Sequence, residues 1–256
     1  FIIARTSSPT SPLTLISGWW ITGLLIFSMF EQLSTSISSV MLPTVTETLK
    51  NDDENLSATQ KLILKAGRIQ FALLGGALTG FIVLGKTFVN LLLGNGYEDV
   101  YIIVLILMLP SLLELCVNVC LSILRAQNRL VFRTMILLLT TVLNIIISLV
   151  GTYFWNYYAA AVGTAFSYFV GSVIIMNIYY YKIYKINMIK MYKNIFGKIW
   201  ICLILSGIAC FAATLLFENL LAKMLLGVAA FAVVYLGTLW AFGLKKEEKA
   251  QLRKKR

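Results

Sequence analysis

The sequence contains no histidine. That absence removes Ser-His-Asp triads, Cys-His pairs, HExxH zinc sites and His-dependent membrane acyltransferases in one step. Charge is also scarce. Only 13% of residues are Asp, Glu, Lys or Arg, against about 25% in an ordinary soluble domain. Acidic groups are the rarer sign, 11 against 22 basic, and no Walker-type phosphate loop occurs. Cysteine is limited to Cys116, Cys120, Cys202 and Cys210, all inside apolar runs. Cys116 and Cys120 share a helix face, yet two thiols without a nearby imidazole are poor zinc ligands. They read as small buried apolar residues, and no disulfide framework follows. No metal and no cofactor is expected.

What the sequence has in abundance is apolar length. It is 59% hydrophobic, with a mean hydropathy of +0.84. A run of about 20 residues at 1.5 Å each crosses a hydrocarbon layer of about 30 Å. Seven runs of that kind occur: Gly18–Leu42, Gly67–Leu93, Tyr97–Leu124, Leu130–Phe154, Tyr157–Tyr181, Gly197–Phe217 and Leu221–Leu244. None alternates in the manner of an outer-membrane strand. The expected fold class is all-α, a multi-span helical bundle in the membrane.

Basic residues set the expected orientation, because short cytoplasmic loops carry the excess of Lys and Arg. With the N-terminal segment outside, the inner set is Lys50, Lys61, Lys65, Arg68, then Arg125, Arg129, Arg133, then Lys182, Lys185, Lys190, Lys193, Lys198, then the seven of the tail. That is 19 of 22, leaving Arg5, Lys86 and Lys223 outside. The net charge of +11 then reports anchoring to an anionic inner leaflet, and no nucleic-acid partner is expected from KKEEKAQLRKKR. The implied organisation is an extracytoplasmic segment 1–17, five spans over 18–181, a cytoplasmic amphipathic connector 182–198, a terminal helix pair 199–244 and a basic cytoplasmic tail 245–256. The connector mixes Ile and Met with lysines and is expected along the membrane surface. FIIARTSSPTSPLTL lacks a signal-peptide layout. An odd span count with the N-terminus outside therefore predicts preceding spans, and the chain reads as the C-terminal part of a longer transporter-like protein.

Polar residues inside the runs are few and patterned. At about 100° per residue, Asn118, Ser122, Arg125 and Arg129 fall near 40°, 80°, 20° and 60° from Glu114, one narrow stripe provided the helix continues that far. Glu31, Thr35 and Ser38 fall together in the first run, and Thr140, Asn144 and Ser148 in the fourth. A carboxylate at mid-membrane costs on the order of 2.5–3.5 kcal/mol. Glu31 and Glu114 therefore either line a hydrophilic lumen or are protonated or hydrogen-bonded to neighbouring helices as structural glue. Arg125 and Arg129 read as snorkelling at the inner face before they read as lumen lining, with Arg133 in the same basic group. The candidate substrate path is Glu31, Thr35, Glu114, Asn118, Ser122 and Asn144. Rows of small residues, Ala159, Gly163, Ser167 and Gly171 in one run and Ala72, Gly76 and Gly80 in another, are expected to pack helix on helix. Loops on the outer side are a few residues long, too short for an extracytoplasmic catalytic centre, so no enzyme is expected.

Four stretches in order, SISSVMLPTVTETL, GKTFVNLLLGNGYEDVYIIVLILML, SILRAQNRLVFR and AAAVGTAFSYFVGSVIIMNIYYYKI, resemble the polysaccharide-transporter branch of the MOP superfamily, the Wzx-type flippases. The resemblance covers roughly Ser34 to Lys198. It implies the second lobe of a MATE-like transporter plus a terminal helix pair in the cytoplasmic (inner) membrane. It also implies a function: flipping undecaprenyl-pyrophosphate-linked oligosaccharide for surface-glycan synthesis. The implied partners are the lipid bilayer, the lipid-linked oligosaccharide, and a glycan polymerase or other assembly-pathway proteins. A MATE-type multidrug or cation antiporter, or an inactive fragment or membrane scaffold, are the alternatives. The segment FIIARTSSPTSPLTLISGWW departs from the helix that family members carry there.

Overall fold

The computed structural model describes residues 12–51, 57–94, 96–154, 158–216 and 219–243. Among them the chain is helix and short turns, with no strand. The order is α1 (Pro12–Asn51), α2 (Ser57–Leu93), α3 (Glu98–Cys116), α4 (Val119–Ala126), α5 (Val131–Phe154) and α6 (Tyr158–Tyr168). A π-helical segment (Phe169–Ile175) leads into α7 (Met176–Tyr184) and α8 (Met188–Phe196). Then come α9 (Ile199–Leu215) and α10 (Leu220–Thr238), which ends in a second π-helical turn (Leu239–Gly243). Helices satisfy their own backbone groups, the condition for crossing a layer that offers no hydrogen bonds.

Six helical stretches are long and apolar enough to span a membrane: Gly18–Thr48, Ala58–Leu93, Glu98–Cys116, Val131–Gly151, Tyr158–Ile183 and Leu220–Gly243. The expected run Gly197–Phe217 corresponds to α9, which qualifies only together with α8, across a bend of 44°. Two further expectations are corrected. The presumed inner loop after Leu42 is largely helix: α1 runs through Pro43 to Asn51, and α2 begins at Ser57. The presumed single span Tyr97–Leu124 is broken at Val117 and Asn118, and α4 ends at Ala126. Arg129 therefore follows a turn and cannot share a helical stripe with Glu114.

The second helix, α2, is the centre of the bundle. It packs against α1, α3, α8, α9 and α10. Its partner α3 is the most enclosed span, with half of its most apolar window buried. On its far side α3 meets α6, and α5 lies outside α6. One core joins Val45, Ile63, Cys120, Ile123, Met176 and Ile195 from α1, α2, α4, α7 and α8. A second joins Phe30, Leu74, Val89, Val100 and Val104 from α1, α2 and α3. The outward faces of α5 and α10 are apolar, with Leu138, Leu149, Leu225 and Val233 each about two-thirds exposed or more. Faces of this kind far exceed the apolar patches of water-exposed proteins, and they fit contact with acyl chains. The chain is a membrane-embedded helical bundle.

Where lipid tails are as apolar as leucine, close packing rather than water exclusion holds helices together. The first small-residue row serves that end, and so do Ala72 and Gly76 of the second, whereas a Cβ on Gly80 would meet nothing within 4 Å. A Cβ on Gly163 would meet Ser148, and one on Gly171 would meet Thr140, so the row on α6 and the π-helical segment after it is the floor on which α5 rests. On α2, the Tyr235 hydroxyl donates to Ala72 O at 2.5 Å, and its ring lies against Gly76.

Candidate functional site

The break between α3 and α4 organises the polar interior. Val117 N donates to Glu114 O at 2.9 Å and Cys120 N to Val117 O at 2.8 Å, short-turn bonds that take the place of i→i−4 bonds. Carbonyls of Leu113 and Cys116 are thereby released inside the bundle and need new donors, while Leu115 O accepts from Asn118 N at 3.3 Å. Tyr192 of α8 donates its hydroxyl to Leu113 O at 3.2 Å and accepts from the Asn177 amide at 3.1 Å. Ser34 of α1 donates to Leu115 O at 3.0 Å. Gln70 of α2, buried completely, donates to Cys116 O at 3.0 Å and Leu115 O at 3.1 Å, while its amide oxygen accepts from Ser38 at 2.8 Å. Three elements thus hold one interruption open.

Sequence-expected site residues divide around this break. Asn118 donates to Ser34 Oγ at 3.2 Å, and Ser122 donates to Ser38 O at 3.4 Å. Both are buried and tie α4 to α1. Glu114, just before the break, turns to α5 instead: Arg133 Nη2 donates to its Oε1 at 2.8 Å, with the two side chains only 16% and 9% exposed. Arg125 and Arg129 are exposed, so the basic group splits and only Arg133 enters the interior. Asn144 lies on the α5–α6 seam, its Oδ1 accepting from Ser148 at 2.9 Å and from Thr164 at 3.2 Å.

Around Glu114 the groups are ionisable. The carboxylate of Glu31, half-buried on α1, is electrostatically coupled to Glu114 and to Tyr168. Tyr168, at the end of α6 where the π-helical segment begins, is coupled to Glu114, Glu31 and Arg133. The second oxygen of Glu114, Oε2, is buried, with the Tyr168 hydroxyl as the hydrogen-bonding group beside the carboxylate. Periodicity could not have found Ser34, Gln70, Tyr168 or Tyr192 as site residues. The one available signal is Gln70, an amide within an otherwise apolar stretch of α2.

A different polar surface faces outward. Ser28, Gln32, Thr35, Ser36 and Ser39 lie within an arc of about 100° on α1 and over about 16 Å of its length. Gln32, Thr35, Ser36 and Ser39 are all exposed. The hydroxyls bond back to their own helix, Thr35 to Gln32 O at 3.1 Å, Ser36 to Gln32 O at 2.7 Å and Ser39 to Ser36 O at 2.9 Å. That lowers the cost of exposure to lipid for the hydroxyls but does nothing for the Gln32 amide. Glu31 borders this stripe on the side that turns into the bundle. Among the described residues no group of three or more Cys, Asp or Glu is placed to hold a metal. No family model, no curated protein and no solved structure matches this chain.

Proposed function

We propose that this chain forms one wall of a polar translocation path, and that its protein flips a lipid-linked oligosaccharide across the membrane as a transporter rather than an enzyme. The observation that carries the reading is the outward stripe on α1. An amide placed in hydrocarbon without a partner costs about 4–8 kcal/mol, so Gln32 and its neighbours belong against water, glycan or more protein. A glycan headgroup needs hydroxyl and amide partners along its route while its lipid tail stays among acyl chains. A wall that is polar on α1 and apolar on α5 and α10 supplies both surfaces. In this reading α1 to α7 are the second lobe of a MOP-type transporter and α9 with α10 its terminal pair, in the cytoplasmic membrane with the C-terminus inside.

The test is cysteine labelling in a background free of the four native cysteines. Residues 32, 35 and 39 are replaced one at a time and treated in cells with a membrane-impermeant maleimide. Replacements at Leu138 and Val233 serve as lipid-facing controls. Labelling along the stripe, reduced when lipid-linked glycan accumulates, is the expected result; a stripe as unreactive as the controls would overturn it. Complementation of a flippase-deficient cell by the full-length protein, with and without Glu114→Ala, assigns the substrate class. The coupled carboxylates Glu31 and Glu114 favour a second reading, ion-coupled export of a cationic drug. Proton flux stimulated by such a drug would select it over glycan transport.

A further inference from the structure

We propose that the seam between α2 and α10 is a binding site for one acyl chain of a membrane phospholipid, inserted with its methyl end at mid-membrane. The site goes beyond the proposed function and lies on a different surface from the polar stripe of α1.

The two helices pack antiparallel: the Tyr235 ring lies against Gly76, and a Cβ on Gly227 would meet Leu84 at 2.7 Å. Their seam holds a laterally open groove of about 320 Å³. Gly80 and Leu84 form its floor, Phe81 and Phe88 one wall, and Met224, Val228 and Phe231 of α10 the other. Those three residues of α10 recur at i, i+4 and i+7 on a single helix face. Leu84 is buried, and a Cβ on Gly80 would meet nothing within 4 Å, so at Gly80 the floor is bare backbone. Every side chain lining the groove among the described residues is apolar.

Depth selects the occupant. Lys86 and Glu98 pair at 2.9 Å with side chains 59% and 57% exposed, which marks the headgroup level on the side of the α2–α3 turn, where long charged side chains reach water. Phe88 and Met224 lie near that level, so this end of the groove opens to a headgroup. From Lys86 down to Gly76 is about 15 Å at 1.5 Å per residue, one leaflet of a hydrocarbon layer of about 30 Å. At Gly76 the seam closes. Tyr235 is fixed there by its hydroxyl on Ala72 O at 2.5 Å, and Phe231 stacks on it with ring centroids 5.5 Å apart. A slot that starts at the headgroups and stops at mid-layer matches the chain of a lipid in that leaflet. A crossing helix would need the groove to continue through the whole layer. A polyprenyl tail, methyl-branched and far longer, overruns it. The bound chain supplies dispersion contacts between α2 and α10 and so helps to seat the terminal pair on the bundle.

The test is photolabelling of the purified full chain in phospholipid nanodiscs. The discs are doped with phosphatidylcholine carrying a diazirine on one acyl chain, either at the terminal carbon or beside the ester. The terminal probe is expected to label Phe231 severalfold more than Val233, which is exposed at nearly the same depth on α10. The ester-side probe should favour Met224 instead. Gly80→Phe puts a ring on the floor and should abolish the excess at Phe231 while labelling of Val233 persists. In wild type, equal labelling of Phe231 and Val233, or one pattern from both probes, would overturn the inference without any variant having to fold. So would an excess that survives in folded Gly80→Phe, or one displaced by an equimolar polyprenyl phosphate. Crosslinks from Phe231 to a second copy of the chain would assign the groove to protein and overturn it too. No glycan enters the measurement, so failure here leaves the polar wall of α1 standing, and failure of that wall leaves this site standing.

Discussion

Arg133, the third residue of α5, donates to Glu114, the third residue from the end of α3, across 2.8 Å. Between them the chain passes through α4 and a turn, so the ion pair closes the corner that the α3 break opens. It lies within the polar interior and couples to Tyr168, which ties α6 into the same corner. A buried pair of this kind adds little net stability, because removing two ions from water consumes most of their attraction. Its strength lies in the penalty for halving it.

Glu114→Ala is therefore expected to destabilise the purified protein by about 3–5 kcal/mol, leaving the Arg133 charge uncompensated. Adding Arg133→Met should recover most of that loss, since an apolar side chain of similar length replaces the orphaned ion. Thermal unfolding of the two single variants and the double variant gives the coupling directly. Equal and additive losses would show that the two charges act independently.

The helices themselves were legible because a membrane leaves the backbone no alternative to satisfying itself; the apolar runs map onto α1, α2, α3 with α4, α5, α6 with α7, α9 and α10. The break in α3 was not. Cys116-Val117-Asn118-Val119 contains neither Gly nor Pro, the usual local signals. Its stabilising groups, Gln70, Ser34 and Tyr192, arrive from three other helices. Arg133 was hidden for the same reason. Charge counting groups it with Arg125 and Arg129, and a partner 19 residues away leaves no trace in helical periodicity. The length of α1 was missed because polar residues after Leu42 end an apolar run without ending a helix.

Gln70 gives a direct check on the break. Replacing it by leucine, close in volume, strands the Cys116 carbonyl that its amide serves at 3.0 Å, while Leu115 O keeps Ser34 and Asn118 N as donors. Each buried unsatisfied group costs about 1–3 kcal/mol. The Gln70→Leu protein is expected to melt earlier and to exchange its amides at Val117 to Cys120 faster than wild type. Deuterium uptake confined to other helices would show that the break is held by something else.

Two glycines of α2 predict opposite outcomes for the same change. A Cβ on Gly67 would lie 2.9 Å from Cys116 O and 2.6 Å from Ile195. One contact is backbone at the break, so Gly67→Ala must push α2 off both α3 and α8. A Cβ on Gly80 meets nothing within 4 Å, so Gly80→Ala should gain up to about 1 kcal/mol of helix propensity. Thermal melting of the pair is expected to fall for the first and hold or rise for the second.

Arg68 makes the last and most distant connection. It is 6% exposed, and its guanidinium donates to Gly243 O at 2.7 Å and to Asn194 O at 3.2 Å. Both carbonyls lie at helix ends: Asn194 is in the last turn of α8, and Gly243 is the last residue of the π-helical turn after α10. Carbonyls there lack helical partners, and a cation at a C-terminus also meets the negative end of the helix dipole. One side chain of α2 thus pins both the connector and the terminal pair to the bundle. Arg68→Gln keeps a donor but loses the charge and the two-pronged reach. It should loosen α8 first, since this short helix is held otherwise chiefly by apolar contacts, those of Met188, Met191, Ile195 and Phe196. Limited trypsin digestion reads this at Lys185, Lys190 and Lys193, where faster cleavage than in wild type is expected while fragments spanning α1 to α6 persist. Cleavage at an unchanged rate would mean that apolar packing alone seats the connector.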